Sequence, residues 1–537
     1  DPTHIPIPRD IFSGSSPHWL AAKGADLDAR PTATDFESAS GLVSFHEHSM
    51  FAPNPSGADT ICDVCCPTTG ESIGNYAAST LADVDDAVTK AHRAFPNWSR
   101  LPVGERARLL QRVGDLLEEN SVELTALIAH EAGRTLNDGL DEVREAADFC
   151  RYYAAQAEGL LGDALALPGV TGETNQLRYS AIGVWLCISP WNFPLAIFVG
   201  QIAANLAVGN TVVAKPAEQT PLVARFALRL FTQAGIEPDV LSVLYGDGPN
   251  VGTPLVDDIR VRGVSFTGSH ATALTINRQL ARRTGPITPF IAETGGINCM
   301  FVDSTALPEQ VIDDVITSAF RSAGQRCSAL RVLFLQREIA DKTLTILEGA
   351  MHELIVGDPR RLVTDVGPVI DRRAKEAIDE HLVHLDKTAT LLAITPFDHT
   401  KYTGHFIAPQ VWEIDALADL THEVFGPVLH VIRYDTNELP QIFSEVRASE
   451  FALTMGVHSR LRGLHDRIRD EALVGNLYIN RDTVGAVVGS HPFGGHGASG
   501  TGPKAGGPNY LKRLVNEHTV TDNITALGGN TALFNLE

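Results

Sequence analysis

From residue 182 to about residue 480, short apolar segments alternate with segments of helical periodicity, and no other feature constrains the chain as much. Segments 182–189, 211–214, 241–245, 261–267 and 288–292 have the length of buried strands. Segments 221–234, 249–256 and 271–283 between them repeat apolar residues at helical spacing. A second block continues the unit, with strands at 299–302 and 330–335 and helices at 308–323 and 339–354. Such alternation requires right-handed crossovers and a mostly parallel sheet, so the expected fold is two α/β domains in series. Helical spacing also governs the region before them. Val84, Ala87, Val88, Ala91 and Phe95 share one face, and 106–132 and 141–161 continue the pattern. The first 59 residues, weakly periodic and rich in Pro, Ser, Gly and His, read as a wrapping arm or linker.

Composition serves mainly to exclude. Lys+Arg 43 against Asp+Glu 65 gives a net charge of −22, which provides no basic field for nucleic acid or an anionic membrane. Residues 179–214 carry no charge, but Pro190, Asn192, Pro194, Gln201 and Asn205 interrupt them. They read as buried strand, turn and helix rather than a transmembrane segment. Seven irregularly spaced cysteines do not form a secreted disulfide framework, and the expected setting is reducing and cytoplasmic. Cys62 and Cys65, with His46 and His48 upstream, could supply four zinc ligands. The strand-like alternation around the cysteines favours no metal. The chain opens on Asp1, with no basic-then-apolar leader, as a processed or excised piece would.

Several short motifs carry chemistry. The run from Gly246 through Gly248 to Gly252 joins a strand to a helix, but its glycine spacing departs from the strict dinucleotide fingerprint. Gly248 is thus either a phosphate contact or part of a plain turn. Phe266-Thr267-Gly268-Ser269 places Gly268 and Ser269 at a helix N-terminus, where free amides attract phosphate. Lys215 and Glu218, in Lys215-Pro216-Ala217-Glu218, follow a strand and suit either ribose hydroxyls or a solvated charge pair. Cys327, beside Arg326, could be a nucleophile with a depressed pKa, or a buried small hydrophobe. Asn192, in an apolar turn, could stabilise an oxyanion. Glu293, ahead of Thr294-Gly295-Gly296, suits a general base.

These motifs, with Pro190-Trp191-Asn192-Phe193-Pro194 and Glu423-Val424-Phe425-Gly426-Pro427, occur in the order found in the aldehyde dehydrogenase superfamily, which the chain resembles from about residue 60 onward. Glu293-Thr294-Gly295-Gly296, the stretch around Cys327 and the run from Ser499 to Pro508 resemble the 1-pyrroline-5-carboxylate dehydrogenases, above all the C-terminal half of bifunctional proline utilization A proteins. Residues 526–530 also look like the end of that half. Ile297 and His491 depart from the pattern, each standing where a Gln is expected.

The resemblance implies a Rossmann-type NAD-binding domain (60–172 and 186–294), a catalytic domain (295–495) and an oligomerisation arm with C-terminal tail (173–185 and 510–537). It implies that NAD contacts Lys215, Glu218, Gly268, Ser269, Glu423 and Phe425, and that Cys327, Asn192 and Glu293 are catalytic. Phe193, Ser328 and the loop Ser499, Gly500 and Thr501 would hold L-glutamate γ-semialdehyde, which is oxidised to L-glutamate. The implied partners are a second copy of the chain, through the β-arm, and an FAD-bearing proline dehydrogenase half in the parent protein. The alternatives are a dehydrogenase of another carboxylated semialdehyde, an acylating enzyme using coenzyme A, or a non-catalytic scaffold on the same fold.

Overall fold

The computed structural model describes residues 60–523 and, ahead of them, 11–12, 14, 18–27 and 29–41. His46, His48 and residues 526–530 lie outside the described residues. The segment read as an arm contains a helix that the sequence pattern did not reveal, Arg30–Ser40. Its Phe36 packs with Leu136 and Leu140.

Strands β1 (Ile61–Cys65) and β2 (Ser72–Ala77) form an antiparallel pair ahead of four helices, Leu81–Arg100, Val103–Glu119, Ser121–Ala132 and Leu136–Leu161. The helix expected over 106–132 is broken at Asn120, whose ψ of 20° ends one helix as the next begins. Strands β3 (Leu165–Leu167) and β4 (Glu173–Ala181) follow. Next come β5 (Val184–Ile188), β6 (Thr211–Lys215), β7 (Leu241–Val243), β8 (Val261–Thr267) and β9 (Phe290–Glu293), which form one sheet in the order β7-β6-β5-β8-β9.

Every pairing in that sheet is parallel. Helices cover both faces, so β5 and β6 are almost wholly buried and apolar rather than alternating. The chain runs from β5 outward to β7, then returns to the other side of β5 for β8 and β9. This reversal opens a crevice between the carboxyl ends of β5 and β8. The uncharged stretch 179–214 resolves into β5, helix Ala196–Val208 and β6. Among the described residues no helix is long and apolar enough to cross a membrane.

Trp185 on β5 is fully buried, and its indole N–H donates to Ser265 Oγ at 2.9 Å. Gly263 on β8 faces it so closely that an added Cβ would lie 2.2 Å from the ring. Gly263→Ala therefore overpacks the sheet and should destabilise the protein by about 1–3 kcal/mol. An unchanged midpoint of thermal or denaturant unfolding would contradict this packing.

The second sheet contains β10 (Asn298–Val302), β11 (Leu330–Gln336), β12 (Thr390–Ile394), β13 (Gln410–Glu413) and β14 (Val428–Tyr434). It is completed by β16 (Thr454–His458) and β17 (Asn476–Ile479), beyond the short β15 (Phe451–Ala452). Its order is β12-β13-β14-β11-β10-β16-β17, and only β12 runs antiparallel to its neighbour. Two-residue β18 (His496–Gly497) pairs with β15. β19 (Val515–Asn523) lies antiparallel along β4, from Val515 opposite Ala181 to Asn523 opposite Glu173.

Candidate active site

The three expected catalytic residues come from different elements. Asn192 follows β5, Glu293 ends β9, and Cys327 lies between β11 and the helix Pro308–Phe320. That helix stops at Phe320, earlier than its apolar periodicity suggested, because Ser322, Ala323 and Gly324 have φ of 56°, 53° and 66°. Left-handed backbone costs a residue bearing a Cβ roughly 1–2 kcal/mol. Two such residues just before a thiol must be held by their surroundings. Gly324 has no alternative, since a Cβ there would sit 2.2 Å from the carbonyl oxygen of Gly426.

Cys327, Ser328, Glu293 and Phe193 line one cavity of ≈ 230 Å³. Its walls come from β8 and β9, from Asp141, Glu145 and Asp148 on helix Leu136–Leu161, and from Gly485, Ala486, Val487, Val488 and Phe493. Asn192 Nδ2 donates to the carbonyl of Gln325 at 3.1 Å, which ties the amide to the cysteine loop and leaves its second N–H for another acceptor. Glu293 Oε2 accepts the Gly495 amide at 3.1 Å, while its buried Oε1 has no partner among the described residues. Burial pushes the Glu293 carboxyl up to about 8, against the opposing pull of the Gly495 amide and Lys504.

The expectation of a depressed thiol pKa is corrected. Burial, together with Glu423, Glu293 and Glu145, pushes the Cys327 thiol up to about 12. Arg326 does not help it, because its guanidinium turns to Asp138 at 2.8 Å and lies over the Phe193 ring, 5.4 Å from the centroid.

The loop Ser499, Gly500 and Thr501 is also corrected: it does not line the cavity. Ser499 is fully buried with its Oγ accepting the Ala452 amide at 3.0 Å, and Gly500 bridges Glu293 in an antiparallel contact. Thr501 spends both its amide and its hydroxyl on Ala292 of β9. The stretch that borders the cavity is 485–488, where Gly485 has φ of 73° and the amides have no hydrogen-bond partner among the described residues. Unbonded successive amides at a left-handed glycine form a concavity suited to an anion. The sequence signal for it was a glycine inside an apolar run. Glu145 was missed as well. Its signal was a polar stripe, Asp141, Arg144, Glu145 and Asp148, on an otherwise buried helix.

None of the groups expected to hold a dinucleotide lines this cavity. Lys215, at the end of β6, is buried with the Pro216 carbonyl at 3.1 Å and Glu218 Oε2 at 3.6 Å as its partners among the described residues, and burial lowers its pKa. Such an ammonium keeps a donor for a hydroxyl. Ser269 caps helix His270–Arg282, accepting the Thr272 amide at 3.3 Å, so the positive helix end faces the crevice. The Gly268 amide, however, donates to the Glu293 carbonyl at 3.1 Å, which corrects its expected role as a free phosphate donor. Gly248 opens a wide helical turn, Gly248–Gly252, capped by Asp247, that runs on into the helix Thr253–Asp257, so the helix expected over 249–256 is present. Glu423 accepts from Arg331 at 3.1 Å, and Arg331 also lies over the Phe425 ring, 5.2 Å from its centroid. An added Cβ at Gly295 would meet Glu423 Oε2 at 1.7 Å, so that glycine is needed for the carboxylate to lie where it does. Ile297 is simply core, and His491 lies edge-on to Tyr478 at 6.5 Å.

Two mostly parallel sheets, with a cavity lined by a thiol and a buried carboxylate and a side-chain amide bonded to the thiol's loop, define an α/β fold with a cysteine between the sheets. The chain belongs to the aldehyde dehydrogenase family, whose pattern matches residues 54–520. It is 48% identical over 524 residues to the bifunctional protein PutA of Rhizobium meliloti, covering 95% of this chain and 40% of that one. It is 36% identical over 457 residues to the 1-pyrroline-5-carboxylate dehydrogenase of Geobacillus kaustophilus, covering 84% of this chain and 88% of the relative. The 1-pyrroline-5-carboxylate dehydrogenase from Thermus, solved with bound NAD, superposes with a TM-score of 0.89 at 31% identity, over 94% of this chain and 99% of that one. The chain spans about two fifths of the length of the bifunctional relatives it matches.

Proposed function

We propose that the chain catalyses NAD-dependent oxidation of L-glutamate γ-semialdehyde, the open form of 1-pyrroline-5-carboxylate, to L-glutamate, the second step of proline catabolism. The observation that carries this reading is the convergence of the Cys327 thiol and the Glu293 carboxylate on one cavity, with Asn192 tied to the cysteine loop. Cys327 Sγ, its proton released to solvent water, attacks the aldehyde carbon. The free N–H of Asn192 Nδ2 and the Cys327 amide receive the oxyanion. NAD, held by Lys215, Glu218, Ser269, Glu423 and Phe425, would supply the acceptor for the hydride lost as the adduct on Cys327 becomes a thioester. Glu293, oriented by the Gly495 amide, presents Oε1 to a water, which hydrolyses the thioester and frees the thiol.

In this reading Phe193 and Phe493 flank the aliphatic chain of the substrate. Ser328 and the amides of 485–488 take its α-carboxylate, and Glu145 faces its ammonium group. The test is an assay of purified protein with glutamate semialdehyde, shorter and longer carboxylated semialdehydes, and uncharged aldehydes. Efficient oxidation of the uncharged set in preference to glutamate semialdehyde would remove this substrate assignment.

Lys215, Glu218, Ser269, Glu423 and Phe425 hold NAD. Glu218 accepts from the ribose and repels a 2′-phosphate. Like-charge juxtaposition costs several kcal/mol when desolvated, but the Glu218 side chain is 43% exposed and screening reduces this. The expected preference in kcat/KM for NAD over NADP is about tenfold or more, and Glu218→Gln should narrow it. Equal efficiencies for the wild type would remove Glu218 from this role.

The ribbon of β4 and β19 is assigned as an oligomerisation arm. All of β19 after Val515 is exposed, and β17 leaves an edge on the seven-stranded sheet that a second copy could cover. Truncation after Val515 keeps the bond from Asn210 to the Leu514 carbonyl, so the core survives. It should convert a dimer or larger assembly to monomers. A full-length chain sedimenting as a monomer at micromolar concentration would overturn this assignment. The cytoplasm, where seven unpaired cysteines stay reduced, is the compartment we assign. The match to part of the bifunctional relatives supports a covalently attached FAD-bearing proline dehydrogenase half.

A further inference from the structure

The turn before the nucleophile is held from the other half of the molecule. Asp138, fully buried in the first turn of helix Leu136–Leu161, accepts three donors from the cysteine loop. These are Arg321 Nε at 2.6 Å, Ser322 Oγ at 2.6 Å and Arg326 Nη2 at 2.8 Å. Arg326 Nε also donates to Ser322 Oγ at 2.9 Å, closing a ring around the first left-handed residue. One turn further along the same helix, Glu142 accepts the amides of Leu195 at 3.0 Å and Ala196 at 3.3 Å and pairs with Arg134 at 2.9 Å. Arg134 in turn donates to the Asn192 carbonyl.

Residues four apart lie on one helix face. That face therefore grips the Asn192 loop with one carboxylate and the Cys327 loop with the other. The two loops belong to different cores, with Leu195 and Phe198 in one and Phe320 and Ala323 in the other. We propose that Asp138 is a positioning residue that holds the strained Ser322–Ala323–Gly324 turn so that the Cys327 thiol and amide stand in register with Asn192. This rests on the reading of Cys327 as the nucleophile. Although burial opposes it, Arg321, Arg326 and Arg134 hold the Asp138 carboxyl well below the usual carboxylate range, so it is an ionised acceptor at neutral pH.

Asparagine in its place offers one acceptor oxygen and turns an NH₂ toward two guanidinium groups. The experiment compares wild type, Asp138→Asn, Ser322→Ala and Cys327→Ala as full chains. It measures kcat and KM for the semialdehyde and NAD, NAD binding by fluorescence, the alkylation rate of Cys327 by iodoacetamide, and thermal stability. Asp138→Asn should lower kcat about 100-fold, the order expected from a misplacement near 1 Å, and change the alkylation rate, while NAD affinity stays within about threefold. Ser322→Ala, which keeps both ion pairs, should lower kcat about tenfold with only a small loss of thermal stability, since it leaves the buried Arg326 Nε without its partner. A folded Asp138→Asn chain with kcat within about threefold of wild type would overturn the proposal, as would parallel loss of NAD binding and kcat. If Asp138→Asn does not fold, Ser322→Ala decides: the tenfold loss supports the proposal and unchanged kcat overturns it. Turnover retained in Cys327→Ala would instead overturn the reading of Cys327, a distinct result.

Discussion

Replacing Cys327 with alanine should abolish aldehyde oxidation, lowering kcat by about 10⁴-fold or more, the order lost when a catalytic nucleophile is deleted. NAD should still bind. Lys215, Glu218, Ser269 and Glu423 stand on other elements and none contacts the thiol through a hydrogen bond. The variant should fold, since the loop is held by Asp138, Asn192 and Arg331 rather than by sulfur. Titration of NAD by fluorescence beside a steady-state assay checks both halves. No other cysteine can substitute: Cys150, Cys187 and Cys299 are buried in the cores, and Cys62, Cys65 and Cys66 lie on or beside β1. Residual turnover of more than about one part in a hundred would mean that the thiol is not the nucleophile.

Glu293→Gln should separate the two halves of the reaction. Glutamine keeps an oxygen for the Gly495 amide, so the loop geometry survives, but it cannot accept a proton from water. Rapid mixing should show a burst of NADH near one per site and then a steady rate lower by about 10²–10⁴-fold, the range lost with a general base. The pH dependence has a definite sign. Burial raises the Glu293 carboxyl to about 8, so it is mostly protonated at neutral pH and the base form grows as pH rises. Wild-type kcat should therefore climb through that value, and the limb should vanish in Glu293→Gln. A steady rate without a stall would assign the water to another group.

Some of the site was legible from the chain because its signals are local. An amide in an apolar turn after a strand, a carboxylate ahead of paired glycines and a thiol beside an arginine are readable within a few residues. Glu293 and Cys327 line one cavity, and Asn192 is bonded to the loop just before Cys327. The alternation of strand and helix carries similar local information, and both sheets are parallel as it requires, apart from the edge strand β12. Where a residue's neighbours in sequence were taken for its neighbours in space, the reading failed. Arg326 adjoins Cys327 in the chain, but its charge is spent on Asp138, 188 residues away. Ser499, Gly500 and Thr501 have the composition of an anion-binding loop, yet they are zipped along β9.

By itself, then, the sequence determined the fold class and the order of the elements, because periodicity acts over short distances, and it nominated Cys327, Glu293 and Asn192 as the reacting groups we propose. Only the tertiary structure decided the protonation tendencies of Cys327 and Glu293. Desolvation and the nearness of Glu423 and Glu145 depend on elements far apart in the chain. It also decided which loop faces the cavity, since β9 consumes the hydrogen bonds of 499–501 while the amides of 485–488 keep no partner among the described residues. The left-handed turn at Ser322 and Ala323 belongs with these, because no local preference favours it and the bonds to Asp138 come from the other core.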